Sequence, residues 1–120
     1  MATAYKILGQ KQPATSYETL YRAPTRPASQ FATRDITVAS VTNITVCNFS
    51  LTVNRDYYIR VVPNGETPSD KHLLVSGKEI QTTDTHFLPM KILLGEGDEV
   101  QVKLNSAAVV AFSAFGFETY

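Results

Sequence analysis

The chain has 120 residues, 43% of them hydrophobic, with 11 basic side chains against 11 acidic ones and a single cysteine. That describes one globular domain with room for one core, and not a disordered chain. Zero net charge excludes a global attraction to nucleic acid or anionic membrane, and the lone Cys47 excludes an intrachain disulfide framework.

The start, MATAYKILGQ, carries Lys6 but neither the longer apolar core nor the small-residue cleavage site of a signal peptide. No apolar stretch reaches the roughly 20 residues that cross a bilayer, so the chain is expected to be made and used as it stands, in a cytoplasm. The glycosylation patterns at Asn43-Ile44-Thr45 and Asn48-Phe49-Ser50 carry no weight without a secretory route. Tyr5–Leu8 is a short apolar segment closed by Gly9-Gln10. Ser16–Arg22 places Tyr17, Leu20 and Tyr21 at helical spacing, but Pro24 and Pro27 forbid extension, so the segment reads as strand or extended chain. Ala23–Ser29 has two prolines and no large apolar side chain, with Arg22 and Arg26 at hand. It reads as an exposed loop or arm, and residues 1–30 as a segment that can pack on neighbours. A β pattern resumes from Gln30 to Ser40 through Phe31, Ile36 and Val38.

Ser40–Val62 is the centre of the chain. Ile44 and Val46 point one way with Asn43, Thr45 and Cys47 opposite; Tyr57, Ile59 and Val61 then share a face with Tyr58, Arg60 and Val62 opposite. Alternation of β-branched residues bounded by Asn and Asp is the sequence form of a half-buried strand. Two such strands so close together predict an antiparallel pair in the middle of one sheet. Pro63-Asn64-Gly65 is a turn, and the loop runs on to Lys71. His72–Val75 is a short strand ended by Ser76-Gly77, and Ile80–Thr83 a polar link. Phe87–Leu94 is apolar enough for a buried strand, with Pro89 forcing it to an edge or a bulge. Gly95–Asp98 is a hairpin turn, after which Val100, Val102 and Leu104 alternate inward. Asn105-Ser106 turns the chain again, and Ala108–Phe117 is too continuously apolar to have a wet face, which predicts a central strand or a subunit interface. Short strands, about eight of them, without sustained helical periodicity predict a single-domain, all-β, antiparallel β-sandwich, jelly-roll-like, with an extended Pro/Arg-containing N-terminal segment.

Little in the sequence offers chemistry. Asp70, His72, Asp84 and His86 form two D-x-H pairs that can offer metal ligands from one strand face, but both stand beside turns where solvated side chains are the rule. No G-x-S-x-G elbow accompanies the Ser, His and Asp residues. Gly95-Glu96-Gly97-Asp98 lacks the Lys-Ser/Thr and the helix of a phosphate loop, and its acids would repel phosphate; calcium at Glu96, Asp98 and Glu99 is the weaker reading of a solvated acidic turn. Cys47 in a strand reads as a buried, small apolar side chain. No catalytic, metal or cofactor site is expected. Arg22, Arg26 and Arg34, with Tyr21 and Phe31 as neighbouring aromatics, are raw material for nucleic-acid contact, yet their place on a Pro-rich arm favours docking to protein. Tyr57, Tyr58, Phe112, Phe115, Phe117 and Tyr120 supply more aromatic surface than one small core needs. Candidate interface residues are therefore Arg22, Arg26, Phe31, Arg34, Phe115, Phe117 and Tyr120.

Several short motifs stand in order along the chain: Tyr5-Lys6-Ile7-Leu8-Gly9-Gln10, Pro13-Ala14-Thr15, Leu20-Tyr21 with a proline shortly after, Ile44-Thr45-Val46-Cys47-Asn48 within Val41–Asn48, Ile59-Arg60-Val61, Lys71-His72, Gly97-Asp98 with Val100 and Val102, and Phe112-Ser113-Ala114-Phe115-Gly116. In these the chain resembles a family of small virion structural proteins of tailed bacteriophages, especially those infecting cyanobacteria and other marine bacteria. The resemblance covers most of the chain, its first and last motifs being the distinctive ones, and departs from Pro24 to Ser40, where this chain is longer. It carries over no catalytic residue. It implies a non-enzymatic β-sandwich made in a host cytoplasm and built into the virion, with the major capsid protein and further copies of itself, as a homotrimer, for partners. A decoration or cement subunit bridges neighbouring capsomers by contact area and needs no cofactor, membrane or nucleic acid. A tail, neck or baseplate component is the alternative within the particle, and a carbohydrate-binding sandwich on a fibre the alternative outside this class, though the chain has no Trp.

Overall fold

Ile44, Val46, Tyr57, Ile59, Val100, Val102 and Phe112 are all fully buried, and the strands that carry them define the architecture. A computed structural model describes residues 3–25 and 38–119. These form β1 (Thr3–Lys11), β2 (Glu18–Arg22), β3 (Ala39–Asn48), β4 (Arg55–Val62), β5 (Leu73–Ile80), β6 (Thr85–Leu94), β7 (Glu99–Leu104) and β8 (Val110–Thr119), with a 3-10 turn at Asp70–His72. Sheet I has the order β1-β8-β3-β6 and sheet II the order β2-β7-β4-β5, and every ladder is antiparallel. The described chain is thus an all-β sandwich of two four-stranded sheets, as the alternation predicts.

The core lies between the sheets. Val100, Val102 and Leu104 point into it as expected, and the Tyr57 ring meets the Phe112 ring edge-on, centroids 5.9 Å apart. Tyr57 and Phe112 are therefore core and not surplus aromatic surface, each contributing roughly 1.5–3 kcal/mol by burial. On β4 the inward alternation holds through Tyr57 and Ile59; Val62 is then buried, while Val61 is only half-buried.

Three local expectations are corrected. β3 and β4 are not a hairpin: each is an interior strand of a different sheet. The connection between them crosses the sandwich because Asn48, itself fully buried, donates from Nδ2 to the carbonyls of Val53 (3.0 Å) and Ile80 (3.2 Å) and accepts from the Ser50 N–H at Oδ1 (3.0 Å). Gly95–Asp98 is the expected tight turn, but it passes from β6 in sheet I to β7 in sheet II. Ser76-Gly77 does not end a strand; β5 runs through it on a bulge opposite Tyr58, with Gly77 at φ 67°, a conformation in which a side chain is strained.

The terminal segments are tied in as strands. Of residues 1–30, Thr3–Lys11 and Glu18–Arg22 belong to the sandwich, β1 pairing with β8 and β2 with β7. Ala23, expected in an exposed arm, is buried, its N–H bonded to the Asp98 carbonyl (2.9 Å) and its carbonyl to the Gly97 N–H (3.0 Å). Pro24 and Thr25 are exposed, and residues 26–37 lie outside the described residues. β8 is a central strand, between β1 and β3, as expected. Gly116 lets β3 approach it: a Cβ there would stand 1.9 Å from the Ser40 carbonyl oxygen. β8 does keep an outer face, however, and Phe117 remains 38% exposed on it. β6 is an edge strand, as Pro89 requires, with its register to β3 slipping beside that proline. It is only half-buried, because alternate residues turn outward.

Candidate functional site

Alternation along the strands gives the two sheets outer faces of opposite character. On sheet I, lateral pairing aligns Tyr5, Phe117, Ser40 and Leu93 in one row, and Ile7, Phe115, Asn43 and Pro89 in the next. Ser113, Thr45 and Phe87 form a third row, and Ala111, Cys47 and Thr85 a fourth. The Tyr5 and Phe117 rings are stacked, centroids 4.7 Å apart. Tyr5, Ile7, Phe87 and Leu93 are each more than half exposed. Among the described residues, the charge projecting from these rows is confined to Lys91, on the edge strand β6. Near the middle, Asn43 Oδ1 is buried without a hydrogen-bond partner. Cys47, expected to be buried, is half-buried on this face.

The outer face of sheet II is charged and internally satisfied. Thr19 Oγ1 donates to Glu99 (2.6 Å), Arg22 lies 3.7 Å from the same carboxylate, and Arg60 Nε donates to Gln101 (2.7 Å). The Arg60 guanidinium also covers the Tyr17 ring at 3.6 Å, and Lys103 stands between Tyr17 (4.9 Å) and Tyr58 (4.7 Å). Burial raises the Tyr17 phenol above its ordinary range against the opposing pull of Arg60.

Of the interface residues expected from sequence, Phe115 and Phe117 lie together on the sheet I face, while Arg22 belongs to sheet II beside Glu99. Arg26, Phe31, Arg34 and Tyr120 lie outside the described residues. Tyr21 does not share a face with Arg22 on β2. It faces inward, and its hydroxyl donates to the buried Glu118, which Lys6 also reaches at 2.6 Å. Sequence reasoning missed Tyr5, Ile7, Asn43, Phe87 and Leu93 as parts of one surface. The alternation of Tyr5 with Ile7 and of Phe87 with Leu93 was visible, but which strands stand side by side was not.

The histidines of the two D-x-H motifs bond within the fold, His86 to Asp84 but His72 to Glu66 and not to Asp70. His86 Nε2 is 3.4 Å from Asp84, so its N–H faces that carboxylate and Nδ1 accepts from the Tyr57 hydroxyl at 2.9 Å. Burial pushes the Tyr57 phenol up to about 12. His72 pairs with Glu66 (3.2 Å) and accepts the Ser69 N–H at Nδ1 (3.1 Å). Hydrogen bonds from His72 and then Lys71 hold the Glu66 carboxyl below its usual range. Both oxygens of Asp98 are already taken by backbone, by Asn64 N–H (2.8 Å) and Gly95 N–H (2.9 Å). Among the described residues no three His, Cys, Asp or Glu side chains converge as a metal site.

Compared with protein-family models, with curated proteins and with solved structures, the chain finds no match.

Proposed function

We propose that the protein is a non-enzymatic virion structural subunit, a decoration or cement protein that seats on a phage capsid and stabilises the shell by bridging its neighbours. The observation that carries this reading is the aromatic, almost charge-free outer face of sheet I opposite a charged, self-paired face on sheet II. Interface cores are depleted of charge and enriched in aromatic residues, so one side of the sandwich has the composition of a contact surface. The ladder supports it at the level of fold. β1 pairs with β8, β2 with β7, β3 with β6 and β4 with β5, as when one long hairpin is rolled up, and this supports reading the sandwich as a jelly roll. Jelly rolls build viral capsid and lectin domains. The resemblance of its short motifs to small phage virion proteins points the same way.

Quantitative protein staining of purified virions tests the proposal: a decoration subunit is present in hundreds of copies per particle, whereas about a dozen or fewer would transfer the protein to the tail, neck or baseplate. Absence from the particle would overturn the virion role. The exposed Tyr5 ring, stacked on Phe117, favours a second reading as a carbohydrate-binding module. Binding of the isolated protein to a glycan array, abolished by Tyr5→Ala, would establish that reading in place of the first.

A further inference from the structure

We infer that Arg60 and Lys103, on the outer face of sheet II, bind one tetrahedral oxyanion, a phosphate or sulfate group. This face lies opposite the proposed contact surface, and nothing in the site depends on the virion reading.

The ladder sets Tyr58 of β4 beside Lys103 of β7, and Arg60 beside Gln101, so these four side chains form one outward block. Tyr17, just before β2, lies across it. The Arg60 guanidinium rests 3.6 Å from the centroid of the Tyr17 ring, and the Lys103 ammonium 4.9 Å from the same centroid. The two cations can be no farther apart than the sum of those distances, a gap that one oxyanion spans when it accepts from both at about 2.8 Å. Both side chains are half-buried, where like charges repel more strongly than in open water.

The protein supplies no counter-charge at this point. The hydrogen bonds of the face are internal, but Glu99 spends its oxygens on Thr19, Gln101 and Arg22. Asp56 and Glu79 stand one outward row beyond Tyr58, and Asp70 is near enough to act on the Tyr17 phenol. Even so, among the described residues no carboxylate comes within 4.0 Å of Arg60 or Lys103. Donor geometry then selects the kind of anion. Gln101 holds Arg60 by its Nε–H (2.7 Å), which leaves both Nη groups, like Lys103 Nζ, without a protein acceptor. A planar carboxylate would be filled by the Nη fork alone. Lys103 needs a further oxygen outside that plane, and phosphate and sulfate have one. The Tyr17 ring already carries Arg60, and Lys103 stands 4.7 Å from the centroid of Tyr58, so the aromatic surface is in use and recognition falls to charge.

Nuclear magnetic resonance titration of the full chain with sodium sulfate and with sodium phosphate tests this, at pH 7 and an ionic strength held constant with chloride. Saturable shifts of the Arg60 Nε–H and of the β4 and β7 amides are expected, with Kd about 0.1–10 mM. Arg60→Gln and Lys103→Gln are each expected to raise Kd at least about tenfold, and Arg60→Lys, which keeps the charge but not the fork, about threefold or more. Lys91→Gln removes the same single charge from sheet I and is expected to leave Kd within about twofold. Circular dichroism checks that each variant is folded. Acetate is expected to bind at least about tenfold more weakly than sulfate, and glucose 6-phosphate within about threefold of inorganic phosphate. No saturable shift up to about 50 mM, or binding unchanged in Arg60→Gln and Lys103→Gln, would overturn the assignment. So would an equal loss in Lys91→Gln, acetate binding as tightly as sulfate, or a gain of about tenfold from the glucose. None of these results bears on copy number in the virion, so the two proposals can fail separately.

Discussion

The Tyr57 hydroxyl shows how one buried polar atom sets a pH limit on the molecule. It is sealed between the sheets and satisfied by His86 Nδ1, whose other nitrogen faces Asp84. Its pKa near 12 lies above the ordinary phenol value of about 10. Below pH 10 both folded and unfolded chains keep the proton, and the stability is undiminished. Between about pH 10 and 12 the unfolded chain releases it first, so stability falls as pH rises and levels off once the folded phenol also ionises. Tyr57→Phe should cost about 1 kcal/mol near pH 8, from the lost hydrogen bond and the stranded imidazole, and should flatten part of the alkaline decline. Urea midpoints from pH 8 to 12 check both; an unchanged slope would remove Tyr57 as the cause. Gly116 is the residue-scale counterpart in the backbone. With the Ser40 carbonyl 1.9 Å from where a Cβ would stand, Gly116→Ala must push β3 and β8 apart, and a loss of at least about 2 kcal/mol in urea unfolding is expected.

At the scale of elements, Asn48 decides where β3 ends and how the chain reaches β4. Its amide ties the crossing to the end of β5. Asn48→Ala removes its bonds to the Val53 and Ile80 carbonyls, the second of them buried, and is expected to cost about 2–4 kcal/mol by denaturant unfolding; Asn48→Asp, which sets a carboxylate against both carbonyls, should cost more. A neutral Asn48→Ala would mean that the crossing is held by something else. The same residue explains why the fold was only partly legible. Alternation reports which face of a strand is dry, and it placed Val100, Val102 and Leu104, Ile44 and Val46, and Tyr57 and Ile59 correctly. It is silent about partners, so β3 and β4, both half-dry and adjacent in sequence, read as a hairpin although they lie in different sheets. Pro89 located an edge because a missing N–H is a chemical fact of the residue itself. The surface on sheet I was harder to read, because Tyr5, Ile7, Phe115, Phe117 and Phe87 come from the two ends of the chain and a middle strand, and only the ladder brings them together.

For the whole molecule the nesting of strands fixes the order in which contacts can form. β4 and β5 are the pair closest in sequence, joined by the loop through Asp70–His72; β3 with β6, β2 with β7 and β1 with β8 enclose progressively longer segments of chain. Each outer pair must close a longer loop before its contacts form, which slows all-β proteins to folding times of milliseconds to seconds. The inner pair is therefore the place for the folding nucleus, and the β1–β8 pair the place for contacts made last. Ile59→Val and Ile80→Val, both fully buried on the β4–β5 ladder, are expected to slow folding with most of their stability loss, giving φ near 0.5–0.8. Leu8→Ala on β1, packed against the core from the edge of sheet I, should instead act on unfolding, with φ near 0–0.3. Stopped-flow chevrons of the three variants measure this directly. Values that are equal along the chain, or larger at Leu8 than at Ile59, would show that the rolled hairpin does not fold from its tip. A nucleus at β4–β5 would also mean that the sheet I face, proposed above as a contact surface, is completed only when β1 docks on β8 and is displayed whole only by a finished domain.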